Sequence, residues 1–188
     1  MITVSVRREA NFAVASFSSQ HQNKIKTATV RALNRALDAS QTVANRKIRE
    51  TYNVKARAVA KAMKKHRAHR GQAYAYAELK ISGERIPLIE FGATWTRRMK
   101  PGASVRVFKA GPRKRIRGAF IGIHGYTGAR QVFVRKDLSD PRSDIKSLRG
   151  VSIPQQFRNR AVLAAVQQAT REAFSKNFQQ QLKFLSGT

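Results

Sequence analysis

The chain has 188 residues, 38 Lys and Arg against 10 Asp and Glu, a net charge of +28 at pH 7, and no cysteine. This length fits one domain with a core of its own. The composition excludes a disulfide framework and a thiolate metal site, and no run has the length of a membrane span. So large an excess of one sign opposes compaction unless something negative meets it, which makes nucleic acid the first expected partner, an anionic membrane the second and an acidic protein surface the third.

The opening MITVSVRREA alternates Ile2, Val4 and Val6 as a short strand does, and lacks the apolar centre of a signal peptide. Residues 1–18 read as an N-terminal arm on a single domain spanning 1–188, with Phe12, Val14 and Phe17 to pin it. Ser19 and Gln22 form a candidate capping box. No Gly or Pro interrupts Gln20 to Tyr52, and Ile25, Thr29, Leu33, Ala36, Leu37, Val43, Ala44 and Ile48 recur at helical spacing. A helix of about 30 residues is expected there, roughly 45 Å long. Asn53 is a plausible N-cap for a second helix from Val54 to about His69. Its apolar positions are Ala56, Val59, Ala60 and Met63, and its other faces carry Lys61, Lys64 and Lys65 among further cations. No acid lies between Glu50 and Glu78, so these lysines are candidate anion contacts as well as a solvated face.

Ala73 to Ser82 alternates as a strand, with Ala75, Ala77, Leu79 and Ile81 on one face. Further strands are expected at Ile86–Phe91, Ser104–Lys109, Ala119–Ile123 and Gln131–Lys136. The loop Thr94–Ala103 holds Trp95, Arg97, Arg98 and Lys100. The turn Ala110–Gly118 holds Arg113, Lys114, Arg115 and Arg117. No acid occurs between Glu90 and Asp137, so this sheet region carries a field of one sign. Trp95 is either a base-stacking ring or a core anchor. Asp137–Gly150 reads as polar loop. Ser152, Pro154 and Gln155 make a helix start, and a last helix is expected from about Gln155 to Leu185. The first and last helices, both rich in alanine, should pack together over the sheet and bury Leu33, Leu37, Val162, Val166 and Phe174. The fold class is therefore α+β: long N-terminal and C-terminal helices on a small, mainly antiparallel sheet.

Catalytic signals are weak. The carboxylates are scattered, and only Glu78, Glu84 and Glu90 stand on neighbouring predicted strands where a Mg²⁺-dependent nuclease would gather them. His66 and His69, three apart on a predicted helix, lack a third ligand. Gly118, Gly122, Gly125 and Gly128 lack the Gly-Lys-Ser/Thr context of a phosphate cradle and read as hairpin punctuation. No enzyme activity, cofactor or metal is expected. No sequence-specific nucleic-acid reader motif is present, so any nucleic-acid binding should be non-specific.

Four segments in order, ERIPLIEFGA, VRVFKAGPRKRIRGAFIG, HGYTGARQVFVRK and IKSLRGVSIPQQF, resemble the minor tail protein Z family of lambdoid phages and prophages. The resemblance runs from about Val30 to Phe184, and Ser152–Phe157 is its clearest positional match. It implies a long N-terminal helix, a small antiparallel sheet and a final helix after a proline-containing loop. It also implies a structural, tail-completion role in the virion tail, after synthesis in the host cytoplasm. The implied place is the head-proximal end, with other tail and neck proteins as partners, a homo-oligomer as the assembled form and DNA in the tail channel. It brings no catalytic residues. A stand-alone non-specific nucleic-acid-binding protein is the alternative.

Overall fold

The computed structural model of the chain describes residues 2–7, 19–71, 75–96 and 102–186. The architecture is α+β, with most of a set of short antiparallel strands lying in the chain between two long helices. Strand β1 (Ile2–Arg7) precedes helix α1 (Ser19–Thr51). Helix α2 (Ala56–Lys61) and strands β2 (Met63–His66), β3 (Tyr76–Ile81) and β4 (Arg85–Pro87) follow. Then come β5 (Gly102–Val105), β6 (Lys114–Arg117), β7 (Phe120–Ile123), β8 (Arg130–Arg135), β9 (Ile145–Ser147) and β10 (Arg149–Ser152). Helices α3 (Ile153–Phe157) and α4 (Arg160–Ser186) complete the fold. The strands form four small ladders, ordered β1-β3-β2, β10-β4, β5-β6 and β7-β8-β9, and every pair is antiparallel.

Helix α1 owes its face to a four-residue repeat of small side chains. Ala28, Ala32, Ala36, Ser40 and Ala44 are all buried, and Leu33, Leu37 and Ile48 flank them. Small residues at this spacing let a second helix approach closely, and α4 does so with Val162, Val166 and Thr170. The two helices run antiparallel, as their cross-links show. Ser40 and Thr170 share a buried hydroxyl bond of 2.6 Å, Arg35 donates to Asn177 at 3.1 Å and Arg31 donates to Gln181 at 3.1 Å. The expected helix pair is thus present. Leu33, Leu37, Val162 and Val166 are buried and Phe174 is half-buried against the core.

The strand expected at Ala73–Ser82 is observed as β3. Ala77, Leu79 and Ile81 are fully buried beneath α1, and the alternate positions Tyr76, Glu78 and Lys80 face outward, as period-2 geometry requires. The arm residues Phe12, Val14 and Phe17 and the side chain of Ser19 lie outside the described residues.

Several boundaries differ from expectation. The second helix stops at Lys61, and Met63–His66 pairs with β3 as a strand. Helix propensity over four residues is a weak force beside a ladder with an already buried strand. Asn53 is no N-cap. Its amide donates to the carbonyls of Phe91 and Arg106, at 3.0 and 3.2 Å, and so closes the end of α1 against the sheet. The strand expected at Ile86–Phe91 is a strand only over Arg85–Pro87, and Leu88 N makes one further bond, to Leu148 O at 3.1 Å, before the chain turns. Leu88–Phe91 winds into a 3₁₀ turn that buries Leu88 and Phe91 and ends on Gly92 at φ 67°, a left-handed stop that suits glycine. The third strand begins earlier and is shorter than expected, at Gly102–Val105. The polar segment Asp137–Gly150 contains β9 and the start of β10.

The Ser152 start is a full capping box. Gln155 N donates to the serine hydroxyl at 3.4 Å and the Gln155 side chain accepts from Ser152 N at 3.1 Å. The single helix expected after it is two helices. Its first piece ends at Phe157, and Asn159 opens α4 by accepting from Ala161 N at 3.0 Å.

Candidate interaction surface

The cations named from the sequence divide between separate elements. Arg97, Arg98 and Lys100 lie outside the described residues. Lys61 ends α2, whereas Lys64 and Lys65 sit on β2 rather than on a helix. On β2 alternate residues face opposite ways. Lys65 reaches inward to Asp38 of α1 at 2.7 Å, and Arg67 just beyond the strand holds both oxygens of the same carboxylate at 3.0 and 3.1 Å. The expectation that no acid offsets this segment is thereby corrected, since Asp38 reaches it across the fold. Burial raises the Asp38 pKa, but the bonds and charges of Lys65 and Arg67 outweigh it and leave the group below its ordinary value. Asn34 reinforces the junction, donating to Ala68 O and accepting from Ala68 N, both at 2.9 Å. Lys65 and Arg67 therefore fasten β2 to α1. Lys64 faces outward directly opposite Lys80 of β3. Two like charges facing each other across a ladder repel, and Lys64 makes no ion pair among the described residues.

The turn expected at Ala110–Gly118 is in large part a strand. Lys114–Arg117 pairs with Gly102–Val105, in register Val105↔Lys114, Ala103↔Ile116 and Gly102↔Arg117. The arginines of this run have different roles. Arg113 folds back over β5. Its Nη2 donates to Gly92 O at 2.6 Å, Thr94 Oγ1 at 3.0 Å and Ser104 O at 3.1 Å, and its Nε donates to Ser104 Oγ at 3.2 Å. One guanidinium thus joins the end of the 3₁₀ turn, the Thr94–Ser104 bridge and the entry to β6. Arg113 is a structural clamp and not a free contact. Arg113→Ala should destabilise the domain by about 1–3 kcal/mol, because it strips a charged donor from two backbone carbonyls. Arg113→Lys should recover little, since an ammonium cannot reproduce the planar fork. Chemical denaturation of both variants checks this.

The side chains of Lys114, Arg115 and Arg117 are exposed and make no ion pair or hydrogen bond among the described residues. Between them Ile116 turns inward and packs against the core. The result is a rigid two-stranded ribbon that presents three unneutralised cations. Trp95 is half-buried, packs against the core, and stands 6.4 Å from the Phe120 ring, which in turn lies 5.9 Å from Phe133. This is the anchor reading of Trp95 rather than the base-stacking one.

The carboxylates considered for a metal are spoken for separately. Glu84 pairs with Arg149 at 2.7 Å and Glu90 with Lys55 at 3.1 Å, while Glu78 stands opposite His66. His66 ends β2 and His69 lies beyond it, so the helical i, i+3 arrangement does not arise. Among the described residues no three His, Asp or Glu side chains gather as a metal site would need. A shallow cleft of about 240 Å³ is lined by Gly83, Arg85, Ser152, Pro154, Gln155 and Arg158. Its lining has no carboxylate or imidazole to act as a general base.

With this geometry in place, comparison with known families is decisive: residues 8–185 match the family model of prophage minor tail protein Z. The chain belongs to that family. No curated protein and no solved structure matches the chain. Membership gives a structural role in the phage tail, in contact with other tail proteins, in a family that is not a known enzyme class. No helix among the described residues is long and apolar enough to cross a membrane. The Ser152–Phe157 segment, which carried the resemblance most clearly in the sequence, is the capped turn that positions α4 against α1.

Proposed function

We propose that the chain acts at the head-proximal end of the tail, as a subunit arranged with other copies around the channel through which DNA passes. The exposed cations of β6, Lys114, Arg115 and Arg117, carry this reading. A rigid ribbon of unneutralised cations, set in an interval without acids, suits a polyanion that slides past and is not read by sequence. Arg97, Arg98 and Lys100 of the adjoining loop, with Lys61 and Lys64, extend the set of proposed contacts. The test is a class average of tails carrying a labelled copy of the protein. Density for the label at the head-proximal end is expected, and density distributed along the tube or at the distal tip overturns the placement. A salt titration with duplex DNA separates the stand-alone alternative. A channel-lining protein should bind loosely near 150 mM salt with a steep salt dependence. Tight binding there by the purified protein supports the alternative.

A further inference from the structure

The ladder β7-β8-β9 carries two unlike surfaces at its opposite ends. At one end β7 and β8 are joined by the hairpin His124–Ala129, whose tip is held in shape by its own bonds. His124 N donates to Ala129 O at 2.9 Å, Gly128 N to His124 O at 2.8 Å and Thr127 N to His124 Nδ1 at 3.3 Å. This fixed tip displays Tyr126 at 97% exposure, with Ile123 at 72% beside it and Arg130 exposed at the start of β8. Tyrosine, isoleucine and arginine held out from a preordered turn, their side chains without a hydrogen bond or ion pair among the described residues, match the make-up of a protein-docking anchor.

The other end is the connection from β8 to β9, residues 136–144. It too is ordered. Asp137 Oδ1 accepts from Ser139 N and Oγ, Asp140 Oδ1 from Arg142 N, and the carbonyl of Asp137 from the Ser143 hydroxyl. Leu138 is seated on Gly118, where φ is +70° and an added Cβ would overlap the leucine Cδ2. This connection holds three of the ten carboxylates of the chain, Asp137, Asp140 and Asp144. Asp144 pairs with Lys136, while Asp137 and Asp140 are exposed and make no ion pair among the described residues. Leu138 and Ile145 remain about half exposed beside them. In a chain of this charge, it is a place where exposed apolar side chains meet unpaired carboxylates.

The strand β8 separates the two surfaces by five residue steps, about 17 Å. They therefore stand at opposite ends of one strand and do not meet within one molecule. We propose that the Tyr126 hairpin of one copy docks on the 137–145 connection of the next, with Ile123 and Tyr126 against Leu138 and Ile145 and Arg130 beside Asp137 and Asp140. Different patches on the two partners make the contact heterologous, the kind that closes a ring when its rotation permits and that needs no two-fold axis. The inference deepens the arrangement of copies around a channel proposed above and rests on it.

Two variants test it. Tyr126→Ser with Arg130→Glu disables the hairpin. Ile145→Lys with Asp140→Asn disables the connection, and asparagine keeps the acceptor for Arg142 N. All altered side chains are exposed, and circular dichroism checks that both proteins are folded. Sedimentation is followed against concentration near 150 mM salt, where the like charges of separate copies are largely screened. The wild-type protein should associate, and each variant alone should associate at least about 30-fold more weakly. An equimolar mixture should form a one-to-one dimer and nothing larger, because only one competent pair of surfaces remains. A wild-type protein that stays monomeric, a variant that associates like wild type, or a mixture that stays monomeric overturns the proposal. Any of these with the label still at the head-proximal end removes this contact alone. A label elsewhere in the tail removes the placement, whatever the sedimentation shows.

Discussion

Replacing Lys114, Arg115 and Arg117 together by serine should leave a folded protein that supports tail assembly and fails in infection. The three side chains are exposed on β6 and engage nothing else in the described chain. Exposed changes of this kind usually shift stability by less than about 0.5 kcal/mol each, and the inward Ile116 that anchors the strand is untouched. Removing three like charges from one four-residue strand also relieves local repulsion. What is lost is the field toward a polyanion, and each lost phosphate contact lowers the salt slope of DNA binding by about 0.9. In complementation of a phage lacking the protein, tails counted by microscopy should be normal and plaques few. Normal tails with normal plaques would remove the ribbon from the mechanism. Arg113 stays in this variant, because its guanidinium holds carbonyls of the fold and its loss would confound the result.

Leu37→Ala should destabilise the domain by about 2–5 kcal/mol. Leu37 is 2% exposed and lies beside the small-residue face that α4 packs against. Ala36 and Ser40 beside it are small and buried, so little side chain on that side can relax into the space left behind. Equilibrium denaturation measures the loss, and a cost well below 1 kcal/mol would mean that the helix seam is loose. The complementary change, Ala36→Leu, introduces bulk at a fully buried position and should cost about 1–3 kcal/mol by overpacking.

How much of this was legible beforehand depends on the range over which each residue acts. Leu33, Ala36, Leu37, Ala44 and Ile48 recur at helical spacing and are buried, so α1 and part of its packing face could be read directly, and the Ser152–Gln155 box lies within four residues. The alternation of Ala77, Leu79 and Ile81 was equally local. Met63–His66 was misread because its conformation is decided by pairing with β3 and not by its own spacing. Asp38 was missed as a partner of Lys65 and Arg67 because the two segments are 27 and 29 residues apart. Arg113 sits in a run of cations where one guanidinium looks like another. Its acceptors at Gly92 and Thr94 lie 21 and 19 residues away, and nothing near it in sequence announces them. The exposed tip at Tyr126 was visible only as a glycine-rich turn, since exposure is a property of the whole fold.

The helix seam also has a consequence for how the protein is made. Ser40 and Thr170, which bond across it, are 130 residues apart. Contacts of such separation form late and slowly, because the intervening chain must be closed into a loop before they are gained. During synthesis α1 leaves the ribosome long before α4 exists, and its face of Leu33, Leu37 and Ile48 has no helix to meet until the sheets have been passed. A nascent or broken-off chain therefore presents a sticky apolar stripe on a strongly cationic body, the combination that invites chaperones, proteases and stray nucleic acid. Only a chain read through to α4 can cover that stripe with the partner helix it meets in the folded protein.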